Sequence, residues 1–189
     1  MLQQTPTPTY ADIENNRYLH NFCREMLRVY SPSKLDLLYL YTSLTSLASL
    51  HPRYASKDVI IEGMLIPKGT TLFINPIVAH FHPHIWGENA EVFDPDRWDH
   101  LEGDANSPYA FEVFIQGPRK CIGHVFAMME YKVILIELLR RFELKAVEDR
   151  IVLDNALTLK PKGGLKIGVR KIGLDLGIYR KVERKVCLL

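Results

Sequence analysis

Residues 122–142, IGHVFAMMEYKVILIELLRRF, constrain this chain more than any other stretch. Their apolar side chains cover most of a helical circumference, leaving mainly His124, Glu130, Lys132, Glu137, Arg140 and Arg141 as polar positions. A helix apolar on nearly every face is buried on most of its sides, so the fold must bring other layers against it. Glu137 and Arg141 make a favourable i,i+4 pair near its C-terminal end, where basic side chains also suit the helix dipole. With 47% hydrophobic residues among 189, one core is within reach, as a single domain or as part of a larger one. Twenty-four basic residues against 22 acidic ones leave a formal charge of +2, without a Lys/Arg run that could track phosphates. Nucleic acid is therefore not an expected partner.

Immediately before this helix stands FIQGPRKCIG, residues 114–123, with one cysteine between two glycines, two cations and a proline. Cys121 falls at or just before the helix N-terminus, where free N–H groups, the dipole, Lys120 and Arg119 all favour a thiolate. Gly117 and Gly123 allow turns closed to other residues or a close backbone approach, and Pro118 stiffens the loop. That pattern describes a presented thiolate; the alternative is a small buried hydrophobe, the commoner fate of an isolated cysteine. Cys23, Cys121 and Cys187 are odd in number and far apart, which indicates neither a disulfide framework nor a paired-cysteine zinc site. A reducing, intracellular compartment fits best.

Elsewhere the apolar residues Tyr18, Leu19, Phe22, Cys23, Met26, Leu27 and Tyr30 predict one helix over 13–30, stopped by Pro32, with Glu25 at the edge of the apolar stripe and Arg28 one turn on. From this helix alone, the pair reads as a solvated i,i+3 contact. Val59–Ile61 and Thr70–Ile74, separated by Gly63 and a Pro67-Lys68-Gly69 turn, predict small antiparallel strands. Residues 76–108 read as a long irregular segment that is functional or wrapped around something. Arg150–Leu159 and Leu165–Val169 read as a further hairpin. His80, His82 and His84 alternate as strand ligands would, but Pro83 breaks a strand and no nearby Cys, Asp or Glu completes a metal set. The polar N-terminus predicts neither a signal peptide nor an anchor, the uncharged run 37–50 is too short for a membrane span, and KVCLL is not a prenylation box.

Phe114, Gly117, Arg119, Cys121 and Gly123 fit Phe-x-x-Gly-x-Arg-x-Cys-x-Gly, which resembles the haem-binding loop of the cytochrome P450 haem-thiolate monooxygenases. Glu25-Met26-Leu27-Arg28 resembles the family's Glu-x-x-Arg helix motif, and Phe93, Pro95, Arg97 and Trp98 resemble its Phe-x-Pro-x-Arg-Trp meander. Arg53, Asp58, Gly63 and IPKG at 66–69 fit the stretch between them. The motifs follow the family's order from Tyr18 to Val169, with a likeness to fungal members, and cover its C-terminal portion.

The resemblance implies a mainly α fold with small β-sheets (α+β), forming a single haem-binding region over 1–170 and a tail over 171–189. It implies haem as cofactor, with Cys121 as the axial ligand of the iron and Arg119 and Arg53 as propionate partners. Phe114 would shield the sulfur, and Gly117 and Gly123 would shape the loop. Glu25, Arg28 and Arg97 would form the family's buried structural triad. For an intact member the implied reaction inserts one oxygen atom from O2 into a small organic substrate, with electrons from an NADPH-dependent reductase, at the endoplasmic reticulum surface. Secondary metabolism is the field suggested by the fungal likeness. This chain is expected to be a fragment with little turnover by itself; the alternatives are a non-catalytic haem-binding module and a non-functional truncated product. Residues 33–52 match nothing in the family pattern and are either a real extra helix or a gene-model artefact.

Overall fold

The structure is a computed structural model that describes residues 8–31, 51–147, 153–155, 159–172 and 180–181. The run 37–50, most of the atypical stretch 33–52, Pro32 and Cys187 lie outside the described residues. The chain is α+β, as expected: among the described residues there are five helices, a series of 3-10 turns and small antiparallel sheets.

The helix expected over 13–30 is two helices, α1 (Tyr10–Glu14) and α2 (Arg17–Val29). Thr9 and Asp12 close a reciprocal capping box at the start of α1. The break follows from Asn16, whose side chain accepts the Leu19 amide at 2.9 Å and starts α2 afresh. The sidedness of α2 also differs from expectation. Its buried positions include Asn21, Glu25 and Arg28, a polar stripe at i, i+4, i+7, whereas Tyr18 is 61% and Tyr30 60% exposed.

Strand β1 (His51–Tyr54) pairs with β4 (Thr71–Ile74), and β2 (Val59–Ile61) pairs with β3 (Met64–Ile66). Glu62 and Gly63 both have positive φ, the signature of a tight two-residue hairpin turn. The segment expected to be irregular holds two short helices, α3 (Pro76–Phe81) and α4 (Pro83–Trp86), followed by 3-10 turns over Pro95–Asp99, Gly103–Asn106 and Pro108–Ala110. Asn75 and His82 cap α3 and α4, and a proline occupies the first turn of each. Pro83 thus begins a helix rather than interrupting a strand, because the first turn needs no amide donor there.

This proline-rich segment wraps the core. Trp86, Ala90, Trp98, Ala105 and Ala110 are buried together, with Ile85, Leu101 and Phe111 packed against them. The rings of Trp86 and Trp98 meet edge to face at 5.2 Å, and those of Trp98 and Phe111 at 5.3 Å.

Helix α5 (His124–Arg141) corrects the expectation of burial on most sides. Among its residues only Lys132 and Ile136 are buried, while Val125, Phe126, Val133, Ile134, Leu138 and Leu139 are exposed. The reason is that the described residues place α1 and α2 against one face of it and bring no second layer to the others. The buried face is anchored by charge: Lys132 Nζ reaches Glu14 Oε2 at 2.9 Å. Glu137 and Arg141 meet at 2.6 Å on the surface, a contact worth a few tenths of a kcal/mol, roughly.

Strand β5 (Phe142–Ala146) pairs with β8 (Ile167–Lys171), which also pairs with β9 (Arg180–Lys181). Strand β6 (Leu153–Asn155) pairs with β7 (Leu159–Pro161). The hairpin expected between 150–159 and 165–169 is therefore not formed. The first run pairs with residues 159–161 at and just beyond its end, and the second finds its partner in the strand leaving α5.

Candidate functional site

Glu25 and Arg28 are both wholly buried on α2, and the structure brings Arg97 to them from the 3-10 turn at 95–99. Five donors converge on the Glu25 carboxylate: Arg28 Nε (2.9 Å) and Nη2 (2.8 Å), Arg97 Nε (3.0 Å), the Asp94 amide (2.9 Å) and Trp98 Nε1 (3.0 Å). The solvated pair read from the helix alone is thus a buried network. Arg28 spends its remaining donors on the carbonyls of His80, Ala90 and Val92, and Arg97 on those of Trp86, Asn89 and Val92. Burial pushes the Glu25 carboxyl up, but the Arg28 hydrogen bond, the Asp94 amide and the two guanidinium charges outweigh it, and the net direction is down. Asn21, one turn earlier on the same stripe, donates to Asp99. Sequence reasoning missed Asn21, Trp98 as a donor and His80; the polar spacing 21, 25, 28 was the signal for the first.

The loop 114–123 lies before α5, whose N-cap is Gly123. Cys121 therefore precedes the cap rather than occupying the first turn. Its amide donates to Phe114 O at 2.9 Å, its carbonyl receives the His124 amide, and His124 Nδ1 lies 2.9 Å from the same carbonyl. Phe114 and His124 rings are 6.1 Å apart. The thiol of Cys121 is exposed, and the Ile122 side chain beside it is fully so. Cys23, by contrast, is buried inside α2, and burial pushes its thiol up to about 11. Within the loop, Gly117 has φ +78, a backbone that disfavours any side chain, and a Cβ on Gly123 would sit 4.0 Å from the Cys121 sulfur.

Arg119 ends the 3-10 turn Gly117–Arg119 and is exposed. Arg53, half-buried on β1, donates to the neighbouring Pro52 carbonyl, and its charge is felt at Glu112. Beside the loop a cavity of about 260 Å³ is lined by Arg24, Trp98, Ser107, Phe111, Gln116 and Lys120, among others. Arg24 lies over the Trp98 ring at 3.7 Å, and burial pushes its guanidinium down to about 10.

The three histidines do not share a face. His82 Nδ1 accepts the His84 amide as the cap of α4, while His80 is turned fully inward. Among the described residues no group of His, Cys, Asp and Glu could hold a metal ion by itself. Burial, with the Arg28 charge, pushes His80 down to about 4. Its folded value lies below the ordinary 6.5, so the stability it contributes is present above that value and is lost as pH falls from 6.5 through 4. The loss expected is about 3 kcal/mol at 1.36 kcal/mol per unit. Urea unfolding of wild type and His80→Gln from pH 7 to 4 checks this; wild type should lose that much more stability towards acid than His80→Gln, which has nothing to titrate at this position.

No helix among the described residues is long and apolar enough to cross a membrane. The family model described as Cytochrome P450 matches residues 1–167. A cytokinin hydroxylase of Arabidopsis thaliana is 33% identical over 172 residues, covering 90% of this chain and 30% of that protein. The cytochrome P450 monooxygenase sphH of Aspergillus fumigatus is 35% identical over 161 residues, covering 82% and 27%. Human cytochrome P450 4F11 is 34% identical over 159 residues, covering 80% and 30%. The chain thus spans about 30% of the length of these curated relatives. With one family model matching nearly the whole described fold, and relatives from a plant, a fungus and a mammal aligned to most of its length, the chain belongs to the cytochrome P450 family.

Proposed function

We propose that this chain forms the haem-binding part of a monooxygenase, with Cys121 as the axial ligand of the iron. One observation carries the reading: the Cys121 thiol is uncovered, on a loop whose backbone is pinned by the Cys121–Phe114 hydrogen bond. The residues present fit a flat, largely apolar macrocycle. The exposed side chains of Ile122, Val125 and Phe126, in the residues that directly follow Cys121, supply apolar surface, and Arg119 offers a planar guanidinium for a carboxylate. Cys121 would hold the iron as thiolate, Phe114 would limit water at the sulfur, and Arg53 would join Arg119 at the propionates. Haem held through sulfur supplies dioxygen activation and the insertion of one oxygen atom into an organic substrate. The buried network of Glu25, Arg28 and Arg97 holds the scaffold and does no chemistry.

In the whole protein the partners would be O2, a small organic substrate and an NADPH-dependent reductase, at the endoplasmic reticulum surface, and the field would be secondary metabolism. A second reading, haem binding without turnover by this length of chain, is favoured by the exposed apolar residues of α5, which no second layer covers among the described residues.

The test is the absorption spectrum of the purified, haem-supplemented and reduced chain under carbon monoxide, beside Cys121→Ala. A Soret band at the long wavelength of thiolate ligation is expected, and it should vanish in the variant. Because Cys121 is exposed, the variant should unfold within about 0.5 kcal/mol of wild type. A band unchanged in Cys121→Ala, or absent from wild type, would sink the assignment.

A further inference from the structure

His80 sits on α3 with no exposed surface, and nothing in the haem chemistry asks for it. Its surroundings connect two parts of the molecule that are distant in sequence. On one side its carbonyl accepts Arg28 Nη1 at 2.6 Å, which joins it to the Glu25 network. On the other side its Nε2 accepts the Glu112 amide at 3.0 Å, and its ring stacks on Phe111 at 5.8 Å. We propose that His80 is a positioning residue for the Cys121 loop, holding the Glu112 amide through Nε2 and thereby tying the ligand-bearing segment to the Glu25–Arg28 network. The proposal rests on Cys121 being the haem ligand.

The connection runs on from Glu112 without a gap. Glu112 O accepts the Ile115 amide at 3.1 Å, and Phe114 O accepts the Cys121 amide at 2.9 Å. Gln116 Nε2 closes the turn from the other side, on Phe111 O at 3.2 Å. Within that turn Ile115 has φ +60, a conformation a β-branched residue does not hold for its own sake. Strained backbone persists only where its flanks are fixed. His80 fixes one flank, at residues 111 and 112, and the Cys121–Phe114 hydrogen bond fixes the other.

The protonation state follows from the geometry. An amide N–H can donate only to an unprotonated ring nitrogen, so Nε2 is bare and the ring proton is on Nδ1. Nδ1 itself is buried and has no partner among the described residues. The imidazole therefore makes a single side-chain hydrogen bond, the one to Glu112, and the burial that keeps it neutral keeps that acceptor available. A residue retained only for bulk would not need an acceptor aimed at that amide. That difference can be measured.

Three versions of the 189-residue chain decide it: wild type, His80→Phe, which keeps an aromatic ring and loses the acceptor, and His80→Gln, which keeps an acceptor and loses the ring. The readouts are amide hydrogen exchange at Glu112 and Cys121 in the haem-free chain, and the Soret position of the ferrous carbon monoxide complex after haem addition. His80→Phe should speed exchange at both amides by roughly tenfold. It should also move part of the Soret band from the long-wavelength thiolate position to a shorter one, while His80→Gln restores both. Faster exchange at Glu112 with Cys121 unchanged in exchange and spectrum would overturn the proposal, as would a His80→Gln protein no better than His80→Phe. Should His80→Phe unfold throughout, the comparison of His80→Gln with wild type at Cys121 decides in its place. A wild type without a thiolate band defeats the haem reading alone, since the exchange arm still reports whether His80 holds the loop.

Discussion

Glu25→Ala should be among the most damaging single changes in this chain, costing about 3–5 kcal/mol. The substitution leaves Arg28, buried without exposure, and Arg97, nearly so, with guanidinium charges whose carboxylate is gone. It also strands the indole N–H of Trp98 and the Asp94 amide. Against a stability of about 5–15 kcal/mol for a typical domain, a loss of that size removes most of the margin at the lower end of that range. Urea unfolding followed by far-UV circular dichroism measures it. Glu25→Gln distinguishes charge from shape: it keeps an acceptor for the indole but gives the two guanidinium groups a neutral partner. It should fall between alanine and wild type. A Glu25→Ala midpoint within 1 kcal/mol of wild type, roughly, would show that the network contributes little net energy.

Trp98→Ala should cost about 3–5 kcal/mol by a different route. Trp98 is 7% exposed and stands at the centre of the core, edge to face with both Trp86 and Phe111 and beneath the Arg24 guanidinium. Alanine leaves a cavity, and Arg24 loses the ring it stacks on. Trp98→Phe separates packing from hydrogen bonding, because it retains most of the ring and removes only the donor to Glu25 Oε2. That variant should lose about 1–3 kcal/mol. Tryptophan fluorescence from Trp86, the other tryptophan, reports the unfolding of each variant.

What could be read from the sequence was chiefly local. Gly63 and Gly69 mark turns because a positive φ is easiest for glycine, and both have it. The β-branched runs around them are strands. The limits came where burial depends on a partner element. On α2 the apolar stripe suggested the inner face, yet beside Cys23 the buried positions carry Asn21, Glu25 and Arg28, because the 3-10 turn at 95–99 delivers Arg97, Trp98 and Asp99 to that side. On α5 the all-round apolar pattern was real, but periodicity states what a helix needs, not which neighbours the described chain brings to it. In the candidate site, the turn around Gly117 was legible as a backbone requirement, whereas the grip of His80 on Glu112 spans 32 residues and has no local signature. His80, His82 and His84 alternate like a strand; capping by His82 and Pro83 made them parts of two helices.

The Glu25 network also has a direction in time. Arg28 is made three residues after Glu25, but Arg97 and Trp98 follow 72 and 73 residues later. At translation rates of about 5–20 residues per second, the carboxylate waits roughly 4–15 s for its last donors. During that interval α2 can form its own i,i+3 pair and nothing more of the network, so the helix emerges with a hydrated ion pair that must later be dried. Closure of the core therefore waits until the Phe93–Trp98 segment leaves the ribosome.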